Sequence, residues 1–296
     1  MRTKFQVKYN VDKLSLVYEI PPTFWTAIAN AGQLTEYISG TAPHTVFIFT
    51  RKFSRVQRVV QAYTLSVMNG AEQVVIGEFR SDIEDAITLD IDNRFLYSGR
   101  LHLLYQFEQD YGLTFASIKY IDVCCDSNQN LPRKLNSVMH SPNCDVSRRA
   151  GKKEITRKGN QRLGVKLTDN IKTLKKAERP PVSYYFYLTP SGCRRPISLK
   201  AYDKAYEIEH ESHKTYISEA LQFDGGIYRL EVSSYWCELS IQSHRKNGWS
   251  HYHIYRHLSD RSFLKEFFIR YINRFYNLKI NGKKMKLSEF LRLDFT

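Results

Sequence analysis

The sequence has little of what marks membrane, secreted or fibrous proteins. No apolar run approaches the roughly 18 to 20 residues that a transmembrane helix needs, and the first residues, MRTKFQVKYNVDKLSLVYEI, have no apolar core typical of a signal peptide. The five cysteines form no C-x-x-C spacing of the kind used in zinc and redox sites. Glycine and proline number only 14 and 9 among 296 residues, which excludes collagen-like and low-complexity chains. We therefore expect a folded cytoplasmic protein without a membrane partner.

Charge is distributed unevenly, with a formal net charge of +14. Residues 148–179 hold 12 basic and 3 acidic residues, and residues 243–296 hold 12 and 4 in a stretch rich in aromatic residues. Basic side chains neutralise phosphates and aromatic rings stack on unpaired bases, so both stretches favour a nucleic-acid partner. The alternative is a solvated basic loop followed by a helix whose aromatic residues belong to the core. The candidate DNA-binding residues are Arg148, Arg149, Lys152, Lys153, Arg157, Lys158 and Arg162.

Hydrophobic patterning divides the chain into four ranges. Residues 1–140 alternate strand-like runs with helices and form an α+β half with an acidic strand. Helices are predicted over 55–69, over 101–111, where Gly112 ends the helix, and over 131–140. Residues 141–181 lose periodicity and predict a basic linker or loop. Residues 182–242 contain strands that carry a candidate nucleophilic tyrosine and a helix over about 206–221, and residues 243–296 form a basic, aromatic, helical tail. The expected fold class is α+β, with two antiparallel or mixed sheets flanked by helices and the catalytic residues on one sheet face.

Three predicted strands carry polar residues at alternate positions, which places them on one face of each strand. The residues are Asp122, Cys124 and Asp126 in IDVCCD, Ser198, Lys200, Tyr202 and Lys204 in ISLKAYDK, and Arg229 and Glu231 in YRLEV. Carboxylates beside a tyrosine and basic side chains suit a Mg²⁺ or Mn²⁺ site that polarises a phosphodiester while the phenol attacks phosphorus. A helix-capping Asp, an amphipathic surface Tyr and a structural Arg–Glu pair remain the alternatives.

Four segments, in this order, resemble the replication initiation factor family, the trans-acting Rep initiators of rolling-circle plasmids and filamentous phages. They are YGLTFASIKYIDVCCD, YYFYLTPSG, SLKAYDKAYE and IYRLEV, and the resemblance covers about Leu101 to Trp236, with weaker agreement back to Lys13. The most specific element is the Tyr-[Asp/Asn]-Lys core followed by Glu, then Arg-x-Glu on a strand. The resemblance implies that Tyr202 is the nicking nucleophile, that Lys204 and Arg229 assist it, and that the metal ligands are Asp122, Asp126, Glu207 and Glu231.

The implied function is initiation of rolling-circle replication of a plasmid, phage or mobile element in a bacterial host. Such an enzyme is a metal-dependent, site-specific single-strand DNA endonuclease and strand transferase. It nicks a single-stranded or hairpin origin through a 5′-phosphotyrosyl link, and the family implies host helicase and polymerase partners and a possible homodimer. Tyr206, four residues after Tyr202, leaves a second nucleophile open. The alternative is a non-catalytic DNA-binding protein such as a repressor.

Overall fold

The computed structural model describes residues 5–31, 46–51, 61–69, 72–83, 85–140, 143–150, 153–157, 184–188, 197–235, 239 and 249–293. The strands are β1 (Val7–Glu19), β2 (Val46–Arg51), β3 (Gln61–Asn69), β4 (Glu72–Ile83), β5 (Ala86–Ile91), β6 (Thr114–Ser127), β7 (Cys144–Ala150), β8 (Lys153–Arg157), β9 (Tyr184–Leu188), β10 (Ile197–Asp203), β11 (Tyr228–Tyr235), β12 (Tyr276–Ile280) and β13 (Lys283–Met285). The helices are α1 (Phe24–Ala31), α2 (Asn93–Tyr97), α3 (His102–Asp110), α4 (Leu131–His140), α5 (Lys204–Glu207), α6 (Thr215–Leu221), α7 (His251–Arg256), α8 (Arg261–Phe275) and α9 (Leu287–Leu291), with a π-helical turn at Ile208–Ser212.

The predicted α+β class is confirmed. Over the described residues the strands form two sheets, and helices flank them. The strand pairs with a defined register, such as β10–β11 and β12–β13, are antiparallel.

The chain forms two units, and their boundaries differ from the four predicted ranges. The first unit comprises Met1–Val11, Asp122–Ile241 and Asp260–Thr296, and the second comprises Asp12–Ile121 and Gln242–Ser259. Strands β1 and β6 each contribute residues to both units. Periodicity along the chain cannot show this, because segments far apart in sequence join the same unit.

In the first unit one sheet has the strand order β1-β6-β11-β10-β9. Alternation gives β6, β10 and β11 an apolar face that includes Val123, Leu199 and Leu230, each fully buried. Helix α4 packs against β10 and β11, and α8 packs against β11. The opposite face of the same three strands carries the polar residues singled out from the sequence.

The second sheet of the first unit has the order β13-β12-β7-β8. Strands β7 and β8 lie in the range predicted to be a linker or loop, so that prediction is wrong for 144–150 and 153–157. Strand β7 pairs with β12, more than a hundred residues further along the chain, with Val146 opposite Leu278. Because the pairing is non-local, these short strands need no strong alternation of polar and apolar residues of their own. Strands β12 and β13 lie in the range predicted to be a helical tail and interrupt it.

In the second unit the strand order is β2-β3-β4-β5-β1-β6. The helix predicted over 55–69 is wrong for 61–69, which form β3, while 52–60 lie outside the described residues. Strand β3 pairs along its length with β4, and the register shifts between Leu65 and Ser66 because β4 has one extra residue there, Ile76. Pairing with β4 therefore determines the conformation of 61–69, and local pattern does not.

The aromatic residues of the C-terminal tail belong mainly to the core. Asp260 caps α8 by accepting hydrogen bonds from the backbone of Ser262 and Phe263 at 2.8 and 3.2 Å. The helix then buries a stripe at helical spacing, which comprises Phe263, Leu264, Phe267, Phe268, Tyr271, Ile272 and Phe275. The core alternative is therefore confirmed for α8. Across the described residues, no helix has the length and apolar character required to cross a bilayer.

Candidate active site

The register between β10 and β11 brings the candidate residues together. Lys200 lies opposite Glu231, and Tyr202 lies opposite Arg229. Residues directly opposite in an antiparallel pair share a face, and so do residues two apart on one strand. The four side chains therefore share the polar face of the sheet, as the alternation in the sequence predicts.

Tyr202 and Lys200 bind the same carboxylate. The Tyr202 hydroxyl donates a hydrogen bond to Oε2 of Glu231 at 3.0 Å, and Nζ of Lys200 lies 2.5 Å from Oε1. The Glu231 side chain is only 4% exposed, whereas that of Lys200 is 34% exposed. Glu231 is thus a buried acceptor, and Tyr202 and Lys200, which are both partly exposed, reach it from β10.

Arg229 is fully buried and is held by Asp126 of β6. Nε of Arg229 donates to Oδ1 at 2.6 Å and Nη2 donates to Oδ2 at 3.0 Å, which makes the pair bidentate. The Cys124 thiol contributes a weaker contact to Oδ2 at 3.5 Å and also donates to the backbone oxygen of Asn10 at 3.4 Å. The guanidinium and the carboxylate therefore satisfy each other within the sheet, next to the strand position of Tyr202.

Lys204 begins α5 directly after β10. Asp203 caps the helix by accepting from the backbone of Tyr206 at 3.0 Å, and the backbone N–H of Lys204 donates to Ile227 at 2.8 Å. The Lys204 ammonium is buried, pairs with Glu207 at 2.6 Å and lies 5.8 Å from the centroid of the Tyr202 ring. The Lys204 ammonium therefore lies over the ring of Tyr202, in a cation–π position.

Tyr206 points to a different partner from Tyr202. Its ring stacks on that of His210 with centroids 4.0 Å apart and an interplanar angle of 14°. His210 lies in the π-helical turn, and its Nδ1 is 3.0 Å from the backbone oxygen of Tyr206. The helix predicted over about 206–221 is confirmed for most of this range, but it is interrupted at 213–214, where the left-handed conformation of His213, with φ 55°, separates the π-helical turn from α6.

The four predicted metal ligands lie on β6, β11 and α5. Asp122 and Asp126 are both buried on β6, but the oxygens of Asp126 bind Arg229 and those of Glu231 bind Lys200 and Tyr202. Glu207 pairs with Lys204. Among the described residues, no group of three or more His, Cys, Asp and Glu is placed to hold a metal ion. Hard oxygen donors are present, and each of these three carboxylates pairs with a basic side chain. The metal assignment stays a prediction.

The predicted DNA-binding residues fall in two groups. Arg148 and Arg149 lie on β7, and Lys153 and Arg157 lie on β8. The remaining three lie outside the described residues: Lys152, Lys158 and Arg162. The basic segment is therefore, in part, a pair of sheet strands.

Lys200 contacts Glu231 but is not among the residues predicted to be catalytic or to bind a metal. Alternation along β10 places Lys200 on the face of Tyr202, but its contact with Glu231 depends on the register between β10 and β11.

A comparison with models of known protein families and a comparison with curated proteins both find no match for this chain.

Proposed function

We propose that the protein is a replication initiator that nicks one DNA strand at an origin and rejoins it through a phosphotyrosyl intermediate. It acts in the cytoplasm of a bacterial host on rolling-circle replication of a plasmid, phage or mobile element. The observation that carries the proposal is the hydrogen bond from Tyr202 to the buried carboxylate of Glu231, which Lys200 also contacts. A tyrosine becomes a nucleophile when a neighbouring group accepts its proton and a cation stabilises negative charge nearby.

The nicking step uses Tyr202 as nucleophile. Its phenolic oxygen attacks the phosphorus of a single-stranded phosphodiester and the phenolic proton passes to Glu231. The bond between phosphorus and the 3′ oxygen breaks, and that oxygen takes a proton from water and leaves as a 3′-hydroxyl. The products are a 5′-phosphotyrosyl link and a primer end for the host polymerase. Attack by a 3′-hydroxyl on the same link reverses the step, so rejoining needs no nucleotide cofactor.

Lys200 supplies the positive charge in this step. While Glu231 is ionised, the ammonium is held at 2.5 Å from the carboxylate. When Glu231 takes up the phenolic proton, the carboxyl group loses its charge and attracts Lys200 less. The half-exposed ammonium then faces the negative charge that develops on the phosphate oxygens, where such a donor typically contributes about 10²- to 10³-fold in rate.

Arg229 and Asp126 position these groups rather than react. The bidentate pair is completely buried and fixes β11 against β6 on the face that carries Glu231. Lys204 forms an ion pair with Glu207, and its ammonium lies over the ring of Tyr202. These contacts fix the start of α5 next to Tyr202. A divalent cation, Mg²⁺ or Mn²⁺, is part of the predicted chemistry and enters as a variable in the assay below, but no step above depends on it.

A non-catalytic DNA-binding protein such as a repressor is the second candidate. The observation that favours it is that Asp126 and Arg229 neutralise each other fully, as residues in a structural network do. Under this alternative the hydrogen bond of Tyr202 serves only to join β10 and β11.

One assay separates the two candidates. The purified protein is incubated with supercoiled DNA that carries the locus flanking its gene, with Mg²⁺, with Mn²⁺ and with a chelator. We expect nicked or relaxed product with protein attached to the 5′ end. Binding without a nick under all three conditions supports the repressor.

A further inference from the structure

The β12–β13 hairpin is a tight two-residue turn at the edge of the second sheet. Asn281 and Gly282 form the turn with φ angles of 50° and 76°, the pattern of a type I′ hairpin. Ile280 lies opposite Lys283, and Lys279 lies opposite Lys284.

The hairpin concentrates positive charge at a cost to its own stability. Lys279, Lys283 and Lys284 are all exposed, and residues 276–286 contain no acidic residue. The β-carbons of directly opposite residues are about 4.5 to 5.5 Å apart, so the pair Lys279 and Lys284 is a destabilising like-charge pair. Within the part of the chain that the structure describes, none of the three ammonium groups is in an ion pair. Their charge is available to an external anion.

The hairpin is held rigidly on its inner side. Leu278 is buried, and the backbone N–H of Asn281 donates to Asn143 at 3.0 Å. The helices before and after the hairpin are joined, because Asn273 of α8 and Ser288 of α9 exchange two hydrogen bonds at 2.9 and 3.0 Å. A ligand therefore meets lysines on a fixed backbone, and little backbone ordering opposes binding.

The hairpin also extends the sheet that holds the first basic segment. Strand β12 pairs with β7, with Tyr276 opposite Arg148, and β7 pairs with β8. Two basic stretches that are separate in sequence thus belong to one antiparallel sheet, as expected for one continuous polyanion rather than two small anions.

We propose that the β12–β13 hairpin lies along the sugar–phosphate backbone of duplex DNA and binds it through Lys279 and Lys284, which lie opposite each other and therefore share one face. Lys283 lies on the other face of the hairpin, with Ile280. The proposal rests on the proposed function only in taking DNA as the polyanion. Lysine ammonium groups are flexible point charges, so the hairpin binds phosphates without reading bases. It holds the duplex beside the origin, while Tyr202 acts on the single strand.

The test measures how the affinity for duplex DNA depends on salt. The protein carries Tyr202→Phe, so nicking plays no part and a failure of the proposed chemistry does not affect the result. Fluorescence anisotropy with a labelled duplex compares this protein with one that also carries Lys279→Gln and Lys284→Gln. Removal of two phosphate contacts lowers the log–log salt slope by about 1.8, so the loss of affinity between 50 and 200 mM salt becomes about 12-fold smaller.

A charge-matched control carries Arg133→Gln and Arg261→Gln, two exposed residues on α4 and α8. We expect this control to keep the parental slope. An equal fall in both variants would overturn the assignment to the hairpin, because it would show a response to net charge alone. An unchanged slope in the hairpin variant, provided that its unfolding midpoint in urea is not lowered, would also overturn it. Binding to phosphatidylserine vesicles that depends on these lysines, with an unchanged duplex slope, would assign the surface to a membrane instead.

Discussion

The hydroxyl of Tyr202 lies 3.0 Å from a carboxylate oxygen of Glu231 and donates a hydrogen bond to it. The two residues are 29 positions apart, and the antiparallel register of β10 and β11 brings them together. Because Glu231 is buried and Tyr202 is half-buried, the proton acceptor is shielded while the nucleophile remains accessible.

Glu231→Gln tests the proton acceptor. An amide keeps the shape of the side chain but does not accept the phenolic proton, so nicking falls about 10²- to 10⁴-fold, the usual contribution of general base catalysis. Affinity for duplex DNA stays unchanged, because no phosphate contact is removed. Single-turnover nicking of an oligonucleotide and anisotropy with a duplex measure the two quantities. Glu219→Gln, on the exposed side of α6, is the matched control and keeps full nicking. A parallel loss of nicking and binding would assign Glu231 a structural role.

Arg229→Met tests the buried ion pair. The substitution leaves the Asp126 carboxylate buried without its partner, which lowers the free energy of unfolding by about 3 to 5 kcal/mol in urea titrations. Replacing both partners, with Asp126→Leu and Arg229→Met, restores most of that loss because no charge is left buried. The exposed pair of Arg80 and Asp90, at 2.7 Å, is the control, and Asp90→Asn costs about 1 kcal/mol or less. Equal costs at the two pairs would show that burial does not govern the contribution of Arg229.

The sequence predicted the polar face but not its pairings. Alternation in β10 and β11 was enough to align Tyr202 with Lys200, and Arg229 with Glu231. The register and the neighbouring strand decide that Asp126 binds Arg229, and neither follows from a period of two. The same limit applies to the metal prediction. The spacing of carboxylates in the sequence indicates possible ligands, but the ion pairs of Asp126 with Arg229 and of Glu231 with Lys200 depend on tertiary structure.

Among the secondary-structure elements, those with strong local signals were predicted well. Helix α4 coincides with the predicted bounds, and α3 ends before Gly112, whose φ is 62°, as the sequence indicated. Strands β7 and β8 were missed because their partners β12 and β7 supply the hydrogen bonds, and the residues themselves show little alternation. The wrong helix at β3 has a related cause, since cross-strand pairing outweighed a mixed local pattern.

Tyr18 and Tyr255 of the second unit make the free energy of unfolding fall at alkaline pH. Their hydroxyls lie 3.0 Å apart and both side chains are fully buried, and burial raises the pKa of each well above the usual value near 10. The unfolded chain loses these protons from about pH 10 while the folded state keeps them. The contribution of the two tyrosines to the free energy of unfolding is therefore fully present below that pH. Well above it, the free energy of unfolding falls by about 1.4 kcal/mol per pH unit for each tyrosine.

Tyr255→Phe removes one of the two groups, so it reduces the fall in unfolding free energy between pH 10 and 11 by about 1 kcal/mol. Urea titrations at each pH provide the measurement. Tyr252→Phe, at a side chain that is 56% exposed, leaves the pH dependence as it is. An identical pH dependence in the parent and Tyr255→Phe proteins would contradict the assignment.

The most direct test of the central claim is covalent complex formation by Tyr202→Phe. The protein is mixed with a single-stranded oligonucleotide from the flanking locus, and the adduct is measured on a denaturing gel. Tyr206→Phe, whose ring stacks on His210, is the control on the same segment. We predict that Tyr202→Phe forms no adduct and does not nick, although it keeps its stability and DNA affinity, and that Tyr206→Phe keeps most of both activities. An adduct formed by Tyr202→Phe, in amounts equal to the parent protein, would contradict the account.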